Sequence, residues 1–166
     1  MSGTVDFESF YLLAKDDCFK ALCVTVSSRD EADDLLSEAF TRAWTNWDTV
    51  STHDAPSAWV VRTALNLHRD RWRKRTNKRR HLAFVPLAHY DRFEILDRTL
   101  INVIRALPEQ QRLVIAYRVL LDLTTEQTAR ELQIAEGTVS THLKRGLSTL
   151  RTHLIANDQL LKGIVK

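Results

Sequence analysis

The chain has 166 residues, enough for one ordinary domain or two small ones. Apolar residues make up 44%, a normal share for a globular protein. No run of about 18 of them exists to span a membrane, so membrane insertion is not expected. The net charge of +3 conceals an uneven distribution. Before Val61 there are four cations against eleven acids; from Arg62 to Arg80 nine cations face one acid, Asp70. Such a switch implies two different partners, only one of them a polyanion.

Glycine and proline are scarce, while Leu, Ala, Arg and Glu recur without clean apolar alternation, so an all-α fold is expected. Phe7 to about Val26 reads as a first helix, with Phe7, Phe10, Tyr11, Ala14, Cys18, Leu22 and Val26 apolar. Cys18 and Cys23 lie five apart and match no metal-binding or redox spacing. Ser28 and Glu31 stand at capping-box spacing and open a second helix to about Asn46. Its buried stripe is Ala32, Leu36, Ala39, Phe40, Ala43 and Trp47, with Asp34, Glu38, Thr41 and Thr45 opposite. Leu35, beside that stripe, is expected to reach a partner, whereas Trp44 and Trp47 are expected in the core.

Asp48 to Ala55 reads as a polar loop, and Pro56 starts a third helix. Val60, Ala64 and Leu67 face one way; Arg62, Asn66, Arg69 and Arg73 form a cationic ridge that continues into Lys74 and Arg75. Trp59 and Trp72 are the tryptophans placed to stack on a base. Thr76 to Tyr90 reads as a linker, since Pro86 interrupts any helix there. A helix over about 91–106 follows, and Pro108 opens another to about Leu121.

The stretch from Thr124 to Leu154 predicts a helix-turn-helix. Thr124 and Gln127 make a capping box, Ala129 and Leu132 give a short helix its apolar side, and Ile134 to Gly137 make the break. From Thr138, Val139, Leu143, Leu147, Leu150 and Leu154 form one stripe. Thr138, Thr141, His142, Lys144 and Arg145 fall on the opposite arc, a hydroxyl, imidazole and cationic face suited to a major groove. The tail from Asn157 is expected to be short and poorly ordered. No phosphate loop, catalytic triad spacing or HExxH motif is present, and the six histidines are dispersed. No enzyme, metal or cofactor is therefore expected.

Four pieces in order carry a family resemblance: Ala32–Trp44 (ADDLLSEAFTRAW), Ala58–Asn66 (AWVVRTALN) with its basic tail, Leu107–Arg112 (LPEQQR), and Gly137–Val139 in the helix-turn-helix. The chain resembles a bacterial sigma factor of the extracytoplasmic-function group, the smallest sigma-70 type, which keeps only regions 2 and 4. The resemblance implies two small helical domains, region 2 over 6–78 and region 4 over 92–156, joined by a linker over 79–91. It implies an alternative sigma factor that binds core RNA polymerase, recognises −35 and −10 elements and promotes DNA melting. Asp34, Leu35, Glu38, Thr41 and Arg42 would meet the polymerase β′ clamp helices, and region 4 the β flap. Trp59, Arg62, Asn66, Arg69, Arg73 and Lys74 would meet the −10 element, with a flipped base held partly by the loop over 48–57. Thr138, Ser140, Thr141, His142, Lys144 and Arg145 would read the −35 duplex. An anti-sigma factor and a cytoplasmic, nucleoid-associated location are also implied.

Two departures from the family pattern stand out. Ala135 occupies the place of a Ser or Thr cap on the recognition helix, a loss of about 1 kcal/mol. Ser140 replaces the usual basic residue after Thr-Val, so the duplex face is less cationic than in relatives of this type. The competing reading is a regulator of the LuxR/NarL-like helix-turn-helix class, which would carry a βα sensor or receiver domain in front. A third, an adaptor that retains only the fold, leaves Asn66 and the arginine ridge without a use.

Overall fold

The computed structural model describes residues 6–77 and 95–164. Every regular element among them is helical: α1 (Phe7–Thr25), α2 (Arg29–Thr45), α3 (Trp47–Val50), α4 (Pro56–Asn77), α5 (Ile95–Arg105), α6 (Glu109–Ile115), α7 (Thr125–Leu132) and α8 (Glu136–Ile164). A π turn, Ala116–Leu120, extends α6. The expected linker over 79–91 lies outside the described residues, as does the expected start of the next helix at about residue 91.

Helix starts follow side-chain chemistry. Asp6 Oδ1 accepts from Ser9 N at 2.8 Å, and those hydrogen bonds lower the Asp6 carboxyl below its ordinary value. Ser28 Oγ accepts from Glu31 N at 3.1 Å. The reciprocal arm of that box is replaced: Glu31 Oε1 meets His68 Nδ1 on α4 at 2.9 Å, converting a local cap into a tie between helices. Thr124 and Gln127 make both arms, at 3.1 and 3.0 Å.

α2 and α4 pack face to face through small residues, Ala32, Ala39 and Ala43 against Val60, Val61 and Ala64, all fully buried. α1 covers both. Leu35 is 0% exposed and belongs to this core, which corrects its expected place on a partner-facing surface. Three residues after Ala32 and four before Ala39, it lies on their buried face. At one end Phe7, Phe10, Tyr11, Phe40, Trp44 and Trp47 form an aromatic cluster, with Trp47 stacked on Phe10 at 5.0 Å. Trp44 touches Phe7 edge-on at 5.0 Å yet stays 64% exposed, so it is a rim residue and not a core one. The expected loop after α2 contains the single turn α3, whose Val50 is fully buried.

The second half builds onto the first. Ile104, Leu107, Leu113, Ile115, Ala116, Tyr117 and Leu121 join the same apolar core as α1. Arg105 Nε donates to the Cys23 carbonyl at 2.7 Å. Burial pushes the Tyr117 phenol well above its usual value, as it does the Cys18 thiol, to about 12. α7 and α8 pack over Val114, Ala129 and Val139. Gly146 lets α8 cross α6: a Cβ there would sit 2.8 Å from Ile115 Cδ1. The turn between α7 and α8 hinges on Gln133, whose φ of 56° is left-handed, with Ile134 N donating to Ala129 O at 3.0 Å. Gly137 has no positive φ and sits inside the first turn of α8, so it is not the residue that makes the break. α8 runs on to Ile164, where a short tail was expected.

Candidate nucleic-acid interface

Two helices expose cationic faces. On α4, the apolar arc Ala58, Val60, Val61, Ala64, Leu65 and Leu67 is buried, which forces the opposite arc outward. Asn66, Arg69, Arg73 and Lys74 are exposed and Arg62 is half-buried, as the spacing predicted. Trp72 is 61% exposed in the basic run. Trp59, half-buried, lines a cleft of about 270 Å³ with Thr63, Asn66 and Asp70 of α4, Arg42 of α2 and Asn46 just past it. That cleft brings together residues the sequence had split: Arg42, expected to meet the polymerase clamp, lines it beside Trp59 and Asn66. Asn46 was missed, because only the α2–α4 crossing shows which residue past α2 reaches the cleft.

Much of the α4 charge is already matched. Arg71 Nη2 lies 2.6 Å from Glu38 Oε2, and Arg42 Nη2 lies 3.0 Å from Glu38 Oε1. Arg73 lies 3.7 Å from Asp70. Arg62 Nη1 lies 3.2 Å from Glu131 Oε2 on α7, a charge contact without the alignment of a hydrogen bond. These pairs are partly solvated, so each contributes at most about 1 kcal/mol. Their larger effect is to fix side-chain directions. Asp34 and Thr41 remain exposed on α2, and the Thr41 hydroxyl donates to Ser37 O at 2.9 Å.

On α8, Thr138, Ser140, Thr141, Lys144 and Arg145 are exposed, and neither cation pairs with an acid among the described residues. His142 differs from the expectation: it is half-buried, with Nδ1 enclosed and without a hydrogen-bond partner. Thr141, Lys144 and Arg145 share a groove of about 690 Å³ with Gln111 of α6 and with Ser148 and Thr149 one turn further on. Those last three were not foreseen. Hydroxyl and amide groups beside two cations suit sugar-phosphate contacts, which position a protein on a duplex. Among the described residues no group of His, Cys, Asp and Glu is arranged to hold a metal. No described helix is long and apolar enough to cross a membrane.

An all-helical chain with one cationic helix against a single-base-sized cleft, and another as the second helix of a helix-turn-helix, falls in the class of DNA-binding proteins. Sequence comparison narrows the class: residues 19–78 match sigma-70 region 2, and residues 97–150 match sigma-70 region 4. The chain belongs to the sigma-70 family, in its extracytoplasmic-function group. RNA polymerase sigma-E factor of Streptomyces coelicolor is 29% identical over 161 residues, spanning 95% of this chain and 91% of that protein. The ECF RNA polymerase sigma factor SigW of Bacillus subtilis is 29% identical over 157 residues, 84% of each chain. The fold is also similar to that of the sigma factor RpoE in its complex with the anti-sigma factor NepR from Bartonella quintana. There the TM-score is 0.70 at 22% identity, over 90% of this chain and 96% of that one.

Proposed function

We propose that this chain is an alternative sigma factor: it joins core RNA polymerase, recognises −35 and −10 promoter elements and promotes melting. The observation that carries the reading is the pairing, in one chain, of regions 2 and 4 with an exposed cationic helix in each. Residues 6–78 form the region 2 unit and 92–156 the region 4 unit, with 79–91 as linker. In the first, Asp34, Glu38, Thr41 and Arg42 meet the polymerase clamp. Leu35 supports that surface from beneath, since it is fully buried.

The −10 strand runs along Arg69, Arg73 and Lys74, whose charges follow phosphates. A single unpaired base enters the cleft of Trp59 and Asn66, where the indole offers a stacking surface and the amide a hydrogen-bonding edge. Capturing a base this way offsets the cost of unpairing it, so no nucleotide hydrolysis is needed for opening. α8 enters the −35 major groove with Thr138, Ser140, Thr141, Lys144 and Arg145; Gln111, Ser148 and Thr149 hold the adjacent backbone. The chain acts as a binding subunit rather than an enzyme, on chromosomal DNA in the cytoplasm. Its regulator is a protein of the anti-sigma kind. The LuxR/NarL-like reading has no support in the first half, which matches region 2 and holds no βα unit among its described residues.

The test is run-off transcription with purified core polymerase on a pool of genomic promoters. Transcripts that start only when the chain is added, sharing two upstream elements, are expected. Retardation of duplex DNA without any initiation would instead favour an ordinary regulator.

A further inference from the structure

One acid stands in the basic run that α4 carries. From Arg62 to Arg80 the sequence sets nine cations against Asp70 alone. A carboxylate there opposes the binding of a phosphate chain. Its contact within the helix has little weight: Arg73 Nη2 lies 3.7 Å from Asp70 Oδ1, with both side chains mostly in solvent. The structure puts Asp70 on the wall of the cleft beside Trp59.

Trp59, Thr63, Asn66, Leu67 and Asp70 recur at three- and four-residue steps, so they share one face of α4. Arg42 and Asn46 line the cleft from the last turn of α2 and the residue past it. Both are fixed in direction. Arg42 Nη2 donates to Glu38 Oε1 at 3.0 Å, and Asn46 Nδ2 donates to Arg42 O at 2.8 Å. The second bond orients the Asn46 amide and leaves its Oδ1 as an acceptor. The cleft therefore holds an acceptor from each helix, Asn46 Oδ1 and the Asp70 carboxylate. The Arg42 guanidinium and the Asn66 amide supply donors.

Bases differ in what they offer such a cleft. Cytosine, adenine and guanine each carry an exocyclic amine, which donates. The pairing edge of thymine instead carries a carbonyl oxygen on each side of one N–H, and those oxygens repel a carboxylate. An acid in the wall of a base cleft thus disfavours thymine and suits an amine.

We propose that the cleft selects an unpaired base bearing an exocyclic amine and rejects thymine, with Asp70 and Asn46 as the residues that set the choice. This selection rests on the proposed reading of the cleft as the seat of an unpaired −10 base. Asp70 accepts an N–H of the amine, so a charge that opposes the strand as a whole sorts its bases. Trp59 adds a stacking face that any base can use.

The test uses the chain in complex with core polymerase and labelled non-template single strands carrying the −10 element that run-off transcription defines. Each position is replaced in turn by each of the four bases. At one position, thymine should bind about tenfold more weakly than the best amine-bearing base. In Asp70→Asn that ratio should fall to about threefold or less, because the new amide can donate to a thymine carbonyl. Ratios at the other positions should hold. Removing a negative charge strengthens binding to every strand, and the ratio cancels that effect. A chain that fails to fold cannot gain relative binding of thymine. Asn46→Ala should narrow the ratio at the same position.

Ratios unchanged at every position in Asp70→Asn overturn the selection while the promoter reading stands. So does a shift of the opposite sign, with thymine bound relatively worse. If the complex neither initiates nor binds any strand, the promoter reading of α4 fails and the selection with it.

Discussion

α4 and α8 carry the two cationic faces of this protein, and they are held differently. On α4, Arg62, Arg71 and Arg73 each face an acid, and two of those acids come from other helices, α2 and α7. On α8, Lys144 and Arg145 face none among the described residues. A count of charges along the sequence makes α4 the stronger polyanion site. The structure divides that charge: Arg62, Arg71 and Arg73 face acids, whereas Arg69, Lys74 and Arg75 are exposed and pair with no acid among the described residues. The paired cations of α4 therefore take their directions from neighbouring side chains, as Lys144 and Arg145 of α8 do not.

Substitutions can break or sharpen this contrast. The largest effect is expected at Leu35, which anchors the helix that supplies Glu38 to α4. Leu35→Ala should destabilise the chain by about 2–5 kcal/mol in denaturant titrations. A surface change at the same helix, Asp34→Lys, should leave stability alone and weaken capture by core polymerase. If Leu35→Ala kept full stability but lost polymerase binding, its place in the core would be disproved.

The corresponding prop under α8 is Gly146. Gly146→Val drives a branched side chain into Ile115 and should cost about 1–3 kcal/mol, seen as a lower melting temperature. An unchanged melting temperature would mean that α6 and α8 leave more room at Gly146 than the 2.8 Å to Ile115 Cδ1 allows. Arg145→Ala tests the free face itself. It should weaken −35 duplex binding by about 1–3 kcal/mol while core binding stays intact. Equal losses on −35 and scrambled duplexes would make Arg145 a backbone contact, not a reader.

Smaller effects concern how the helix-turn-helix is framed. Thr124→Ala removes one arm of the capping box, the bond its hydroxyl accepts from Gln127 N, and should cost about 1 kcal/mol. Gln133→Gly relieves a left-handed side-chain residue and should leave stability equal or raise it by up to about 1 kcal/mol. A clear loss there would place the turn elsewhere.

Much of this was legible in the sequence. The start of α4 was carried by Pro56, the cap of α7 by Thr124 and Gln127, and the exposed residues of α4 and α8 by three- and four-residue spacing around apolar stripes. These are local signals, set by helix geometry and by hydrogen bonds a few residues apart. The misses share the opposite character. Leu35 and Trp44 sit at the edges of a stripe, where the neighbouring helix, not the period, decides which is covered. Glu31 leaves its expected cap for His68, thirty-seven residues away. Gln133 rather than Gly137 bears the turn, because the chain enters the left-handed region where α7 must stop to pack on Val114.

By itself the sequence determined an all-helical chain of two halves, its two cationic helices and its family, since periodicity, caps and four ordered motifs are all written within short stretches. Only the tertiary structure decided which charges are spent. Arg62 with Glu131, Arg71 with Glu38 and Arg42 beside Asn66 are meetings of helices, and the energy of a charge depends on what faces it across a few ångströms, not on its neighbours in the chain.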